Sequence, residues 1–286
     1  MTTPPATTHR APPARSRWLA IPGAMLVRAV WQYRGFILGM VSREFQARYR
    51  YSLLGSAWAV LNPAAMIAIY TVIFSQVMRA RLPGVDDTFA YSIYLCAGIL
   101  PWTFFSEVMS RSLTVFFDNA ALLKKVSFPR ISLPVVLLLS STVNFVIIFA
   151  LFLLVLVVSG RFPGWAVLGM VPLLTIQQGF ALGLGILLGV LNVFFRDVGQ
   201  LVGVAMQFWF WLTPIVYSSA ILPDRARAAL AWNPLTQLVA AYQQILVAGV
   251  WPDWAQFRLH AAGAVVVLVL AFVAFDRLSG ELVDEL

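Results

Sequence analysis

The chain has 286 residues, of which 60% are hydrophobic and 11% are charged, and its formal net charge is +8. Soluble domains carry about 45–50% apolar and about 25% charged residues, so this composition excludes a water-soluble globular enzyme. A single cysteine, Cys96, cannot form an internal disulfide, and two histidines leave little scope for histidine-based metal or acid–base chemistry. The length suits one membrane domain of about six spans.

The N-terminal part of the chain is polar and interrupted by prolines. Residues 1–24 predict a disordered cytoplasmic tail, and Pro22 and Gly23 break the apolar run that a signal peptide would need. Over residues 25–56, apolar side chains at helical spacing alternate with arginines, which predicts an amphipathic helix in the membrane interface. A helix that simply leads into the first span fits residues 25–40 equally well.

Six apolar segments follow that can cross a bilayer as helices, because about 20 residues span about 30 Å of hydrocarbon. They cover residues 57–78, 90–110, 134–158, 166–190, 200–220 and 259–276. Unpaired backbone groups are not tolerated in lipid, and the sequence lacks the alternating segments of an outer-membrane barrel. The predicted fold is therefore an all-α polytopic membrane protein, with a transmembrane domain at 57–277 and a cytoplasmic tail at 278–286.

The distribution of basic residues indicates the orientation of these helices. With six spans both termini share one side of the membrane, and that side then receives 14 of the 20 basic residues. The positive-inside rule predicts that both termini are cytoplasmic. Most of the positive charge is thereby explained by topology, and no soluble domain carries a basic face for nucleic acid.

The cytoplasmic loop after the second span is patterned like a short helix. Asp118 and Asn119 are helix-capping residue types, and Lys124 and Lys125 lie near the C-terminal end of a predicted two-turn helix, where the helix dipole favours cations. A helix of this kind could hold a soluble partner. The alternative is a solvated basic loop that only satisfies the positive-inside rule.

The outer segment 221–258 is too polar to span the membrane and too apolar for a free loop. Residues 235–248 predict an amphipathic helix, and Trp232, Trp251 and Trp254 are placed as interface anchors. We expect re-entrant or interfacial half-helices near the outer mouth, since irregular backbone at that depth must be covered by protein or line a wet cavity.

Polar residues and glycines are informative within the spans. Glu107 and Arg111 are four residues apart and predict an ion pair, with a proton relay as the alternative. Two G-x-x-x-G spacings in the fourth span predict close helix approach; they are formed by Gly179, Gly183, Gly185 and Gly189.

Ordered motifs between about Ser42 and Arg277 resemble the ABC-2 type permeases that export polysaccharides, especially the O-antigen and teichoic-acid exporters. The N-terminal motifs are Arg43-Glu44-Phe45, Ala47-Arg48-Tyr49-Arg50, Leu54-Gly55, Leu61-Asn62-Pro63 and Ala97-Gly98-Ile99-Leu100-Pro101-Trp102. The later motifs are Asp118-Asn119, Leu123-Lys124-Lys125-Val126, Phe128-Pro129-Arg130, Asn192-Val193-Phe194-Phe195-Arg196-Asp197, Phe208-Trp209, Leu212-Thr213-Pro214-Ile215 and Trp232-Asn233-Pro234.

The resemblance implies a homodimeric, non-enzymatic permease that exports an undecaprenyl-diphosphate-linked glycan across the bacterial inner membrane. ATP and Mg would be bound by two separate ATPase subunits, in keeping with the absence of a P-loop from the sequence. The family's coupling helix would correspond to residues 118–130 in the loop after the second span, and its periplasmic gate helices to the outer segment 221–258. Two rival interpretations are an ABC-2 permease for a drug or small lipid, and a membrane glycosyltransferase that uses Asp86 and Asp87.

The resemblance also implies three sets of functional residues. The ATPase-coupling set comprises Asp118, Asn119, Leu122, Lys124, Lys125, Phe128, Arg130, Arg196 and Asp197. Arg48 and Arg50 are candidate contacts to the lipid pyrophosphate at the inner mouth, because guanidinium groups suit phosphate oxygens. The candidate sugar-stacking aromatics are Tyr94, Trp102, Phe105, Phe208 and Trp209; a membrane aromatic belt is the alternative explanation for them.

Overall fold

The computed structural model of the protein describes residues 31–49, 54–73, 88–125, 132–219 and 222–285. Within these ranges the chain forms α-helices and short 3-10 helices and contains no β-strand. The α-helices are α1 (Arg34–Tyr49), α2 (Trp58–Val72), α3 (Thr88–Asp118), α4 (Ala120–Lys125), α5 (Ser132–Val158), α6 (Met170–Phe194), α7 (Asp197–Trp211), α8 (Asp224–Leu230), α9 (Pro234–Ala248) and α10 (Arg258–Glu285). The predicted all-α fold is confirmed.

Four helical segments among the described residues are long and apolar enough to cross a membrane. They are Phe89–Asp118, Ser132–Val158, Gly164–Phe194 and Trp254–Leu278. These segments correspond to the predicted second, third, fourth and sixth spans. The last helix continues past the predicted span into the predicted tail, since α10 runs to Glu285.

The helices at the predicted first and fifth spans are shorter, with 15 residues each. Helix α2 lies within the predicted first span, and residues 74–87 lie outside the described part of the chain. The prediction that the fifth helix extends to about residue 220 is wrong, because α7 ends at Trp211. Pro214 lacks a backbone N–H and disfavours helical geometry at the preceding residue, so the chain turns here instead of continuing.

Helices α3 and α6 form the centre of the bundle. In their most apolar windows 61% and 56% of residues are buried, compared with 22% for α5 and 17% for α10. Helix α6 packs between α3 and α10, while α5 contacts α1, α2 and α3. The outer faces of α5 and α10 are therefore left to lipid or to other protein chains.

Glycines in α6 allow the backbones of its neighbours to approach closely. A Cβ atom on Gly183 would lie 2.8 Å from the Leu268 backbone nitrogen of α10. On another face, Cβ atoms on Gly185 and Gly189 would lie 2.5 Å from atoms of Ser112 in α3. The close helix approach predicted from the G-x-x-x-G spacings is confirmed, and it involves two different neighbours.

We expect Gly189→Ala to destabilise the protein by about 1–3 kcal/mol, because its methyl group would collide with the Ser112 backbone oxygen. The matched control is Gly263→Ala on α10, where an added Cβ atom meets nothing within 4 Å. Thermal unfolding in detergent should show a lower melting temperature for the first variant only. Equal melting temperatures for both variants would contradict tight packing between α3 and α6.

The bundle has two ends with different structures. At the first, which we call the α4 end, lie α4, the start of α5 and the connection between α6 and α7. At the second, which we call the α9 end, lie the turn after α7, α8 and α9. The predicted amphipathic helix at 235–248 is confirmed as α9, which is capped by Asn233 and ends at Gly249 in a left-handed conformation with φ 66°.

Candidate functional site

Helix α4 begins directly after α3, at a corner formed by Asp118 and Asn119. Thr114 Oγ1 donates a hydrogen bond of 2.8 Å to Asp118 Oδ2, and Asn119 Nδ2 donates to the Val115 carbonyl oxygen at 2.9 Å. The backbone carbonyl of Asn119 accepts from the N–H groups of Leu122 and Leu123, which starts α4 directly after α3. The side chains of Asp118 and Asn119 thus bond the end of α3 and help fix the corner.

The two faces of α4 differ in polarity. Leu123 is buried against the bundle and Leu122 is half-buried, whereas Lys124 is exposed. Lys125 is the last residue of the helix, and Phe128 and Arg130 lie outside the described residues. The predicted short helix with a basic exposed side is therefore present, and its function as a coupling element stays a prediction.

The connection between α6 and α7 lies at the same end of the bundle. Asn192 Nδ2 donates to the Leu113 carbonyl oxygen of α3 at 3.2 Å, and its Oδ1 accepts from the Gly199 N–H at 2.8 Å. One buried amide thus joins α3, α6 and α7. It leaves Arg196 and Asp197 exposed at the start of α7.

A polar cluster lies between α1, α3 and α5. Arg111 Nη1 is 3.6 Å from Glu107 Oε1, so the predicted ion pair is confirmed. The Arg111 guanidinium also donates to the hydroxyls of Ser140 and Ser141 at 2.8 Å and to Glu44 Oε1. The other side of Glu107 is held by α5, where Asn144 Nδ2 donates to Oε2 at 3.0 Å and Ser141 Oγ to Oε1 at 3.2 Å.

At the α9 end, hydrogen bonds hold the turn after α7 against α3 and α9. Tyr91 donates to the Val216 carbonyl oxygen at 2.7 Å, and Tyr94 donates to the Tyr217 carbonyl oxygen at 3.1 Å. Gln243 Nε2 of α9 donates to the carbonyl oxygens of Pro214 and Ile215. The hydroxyl of Tyr94 is thus used to shape the turn.

Asn233 joins α7 to the start of α9. Its Oδ1 accepts from Trp209 Nε1 at 2.9 Å and from the Leu235 N–H at 3.0 Å. Its Nδ2 donates to the Leu212 carbonyl oxygen at 3.1 Å and to Thr213 Oγ1 at 2.9 Å. All the hydrogen-bonding capacity of this side chain serves to connect the end of α7 with α9.

A second buried chain of hydrogen bonds links three helices. Tyr242 of α9 donates to Gln177 Oε1 of α6 at 2.7 Å, and Gln177 Nε2 donates to the Pro101 carbonyl oxygen of α3 at 3.2 Å. Both side chains are fully buried. The α9 helix is thereby tied to the centre of the bundle.

The five candidate sugar-stacking residues have different environments. Trp102 is 7% exposed and Phe105 is 0% exposed, and their rings pack with Phe210 and Trp209 at centroid distances of 5.5–5.6 Å. In this conformation these two residues are part of the core and present no face to a ligand. Phe208 is the exposed member of the set, at 66%.

The candidate pyrophosphate contacts lie at the end of α1. Arg48 is the second-to-last residue of that helix, which ends at Tyr49, while Arg50 lies outside the described residues. Asp86 and Asp87, invoked for the glycosyltransferase alternative, also lie outside them. Within the described part of the chain, no group of three or more His, Cys, Asp or Glu side chains could hold a metal ion.

Several structural roles were not predicted from the sequence. Asn192 and Asn233 fall in recognised motifs, but their types and positions do not reveal how many bonds each makes. Glu44 also lies in a motif, yet its partner is 67 residues away. Gln177 and Gln243 could have been found as polar residues within apolar stretches, a pattern that indicates buried hydrogen bonding.

Comparison with known proteins identifies the family. The ABC-2 type transporter family matches residues 36–247. The chain is 33% identical over 263 residues to the O-antigen export system permease protein RfbA of Myxococcus xanthus, covering 91% of this chain and 99% of that protein. It is 30% identical over 240 residues to a protein of the same name from Klebsiella pneumoniae, covering 84% and 90%. The Escherichia coli polysialic acid transport protein KpsM is 21% identical over 234 residues, covering 82% and 89%.

The chain therefore belongs to the ABC-2 type transporter family, and the family predicted from the sequence motifs is confirmed. It is a multi-pass membrane protein.

Proposed function

We propose that this protein is the channel-forming permease subunit of an ABC transporter that exports an undecaprenyl-diphosphate-linked polysaccharide across the bacterial inner membrane. The observation that carries the proposal is the 33% identity to the Myxococcus xanthus O-antigen export permease, which extends over 99% of that protein. The family match over residues 36–247 includes elements at both ends of the bundle.

In the proposed orientation the α4 end faces the cytoplasm, together with both termini. Lys124 and Arg196 are exposed at this end, in keeping with the enrichment of basic residues on the cytoplasmic side. The α9 end then faces the periplasm. There, the tryptophans Trp232, Trp251 and Trp254 are exposed and suit the lipid–water interface.

In this proposal the chain itself is not an enzyme, and two separate ATPase subunits dock at α4 of a homodimer. Helix α4 begins directly after α3, and Asn119 between them is bonded to the Val115 carbonyl oxygen of α3, so a movement of α4 would be passed to α3. Helix α3 has 31 residues and a length of about 46 Å, enough to reach across the bilayer. Its far end holds the turn after α7 through Tyr91 and Tyr94.

The passage for the glycan would form between two copies of the chain. Phe208 is the best placed of the candidate aromatics to contact sugars there, because its ring is exposed on α7. The pyrophosphate of the lipid carrier would be bound at the cytoplasmic end by Arg48 and Arg50. ATP-driven closure of the ATPases would then move the polymer stepwise through the interface between the copies.

The proposal is tested by purifying the chain with an ABC ATPase partner from the same organism and reconstituting both in lipid vesicles. We expect ATP hydrolysis to be stimulated by an undecaprenyl-diphosphate-linked glycan and the glycan to enter the vesicle lumen only with ATP. Undecaprenyl phosphate without a glycan is the control lipid. Transport of the glycan without ATP, or stimulation by drugs but not by glycans, would contradict the proposal.

A further inference from the structure

The ion pair between Glu44 and Arg111 connects α1 to the centre of the bundle. Arg111 has a second carboxylate partner, Glu107 on its own helix, and two serine hydroxyls of α5. The guanidinium is therefore held in place by groups of α3 and α5. Its Nη2 atom donates to Glu44, and this bond attaches α1 to a fixed point.

Apolar packing of α1 on the bundle is limited. Ile37 is 2% exposed and anchors the beginning of the helix. Further along the same face, Val41 and Phe45 are only half-buried. A crevice remains here between α1 and α5, lined by Val41, Glu44, Phe45, Ser140 and Val143. Beside this crevice, the Glu44–Arg111 pair attaches the C-terminal half of α1 to α3.

The position of the pair relates two candidate sites. Glu44 precedes Arg48 by four residues, which is about one helical turn of α1. Arg111 precedes Asp118, at the corner with α4, by seven residues, which is about two turns of α3. The pair therefore bridges the helix that carries the candidate pyrophosphate contact and the helix that carries α4.

We propose that Arg111 is a positioning residue: through Glu44 it holds α1 so that the arginine end of this helix moves with α3 and α4. The inference rests on the proposed export of a lipid-diphosphate-linked glycan. Its consequence is that binding of the diphosphate headgroup at α1 and the position of the ATPase-facing α4 helix depend on each other.

The cluster offers a matched pair of variants. It holds two carboxylates and one guanidinium, so Glu44→Gln and Glu107→Gln each leave one carboxylate with Arg111 and remove the same charge. Only Glu44→Gln weakens the attachment of α1. We expect this variant to raise the lipid-linked glycan concentration that half-stimulates ATP hydrolysis about tenfold, with the maximal rate unchanged. Glu107→Gln should raise this half-stimulating glycan concentration much less.

A second measurement does not depend on the cargo. Cysteines introduced at Val41 and Val143 would lie on opposite walls of the crevice, and the native Cys96 is buried and does not compete. We expect disulfide cross-linking between them to fall severalfold when Glu44→Gln is added and to persist when Glu107→Gln is added. This measurement reports the attachment of α1 directly.

Undiminished cross-linking in Glu44→Gln, or an equal loss in both variants, would overturn the positioning role. Reduced cross-linking with no change in the glycan concentration that half-stimulates ATP hydrolysis would also overturn it. In that case α1 would be detached without any effect on the response to the lipid-linked glycan. If the unmodified transporter shows no response to lipid-linked glycan, the proposed function fails, and with it the cargo link. Cross-linking still separates that failure from failure of the Glu44–Arg111 attachment.

Discussion

Replacing Lys124 and Lys125 with glutamate is expected to reduce glycan export at least about tenfold while leaving membrane insertion intact, because like charges placed in an interface cost several kcal/mol. Lys124 is exposed on α4, which begins directly after α3. A charge reversal there should therefore alter contact with a soluble partner without disturbing the bundle. In reconstituted vesicles, glycan export should fall while basal ATP hydrolysis is retained.

The matched control is the double replacement of Arg225 and Arg258 with glutamate at the α9 end. Both side chains are exposed, and the change in net charge is the same. We expect export by this control to remain close to that of the unmodified protein. Wild-type export by the Lys124 and Lys125 variant, or an equal loss in the control, would contradict the assignment of α4 as the coupling helix.

Asn233→Ala is expected to lower the free energy of unfolding by about 3 kcal/mol, because it removes a helix cap and leaves buried partners without hydrogen bonds. The Asn233 side chain accepts from Trp209 and Leu235 and donates to Leu212 and Thr213. Without it, the end of α7 loses its polar connection to α9. Thermal unfolding in detergent should detect the change, and export should slow because the turn after α7 is held less firmly, by Tyr91, Tyr94 and Gln243.

Thr236→Val provides a control on the same helix. The Thr236 hydroxyl oxygen is buried without a hydrogen-bond partner, so replacing it with a methyl group removes an unsatisfied polar atom. We expect this variant to be as stable as the unmodified protein or more stable. The interpretation of Asn233 as the main connection would be wrong if Asn233→Ala melted at the same temperature as Thr236→Val.

The sequence predicts the helical elements well because lipid imposes simple constraints on a chain. Long apolar runs must be helical where they cross the membrane, so the spans near residues 90–110, 134–158 and 166–190 could be located from composition alone. Local patterns also predicted α4 and α9. The end of α7 was missed because the segment up to residue 220 remains apolar, while the turn depends on Pro214 and on bonds from distant Asn233 and Gln243.

The aromatic residues show why the candidate site could be predicted only in part. Trp102 and Phe208 are both large aromatic residues in apolar helices, and nothing local distinguishes them. The first is 7% exposed and the second is 66% exposed, because α3 lies in the centre of the bundle and α7 at its surface. Which helix is central depends on packing among all of them, including the close contacts that glycines of α6 permit.

By itself, the sequence determined that this is an all-α membrane protein of the ABC-2 type, with a short basic helix after α3 and an amphipathic helix near its C-terminal span. These features follow from hydrophobicity, helical periodicity and short motifs, which act over neighbouring residues. Only the tertiary structure decided which aromatics are buried, where α7 ends and how Glu44 reaches Arg111. Those outcomes arise from contacts between residues far apart in the chain, and local sequence patterns carry no information about such partners.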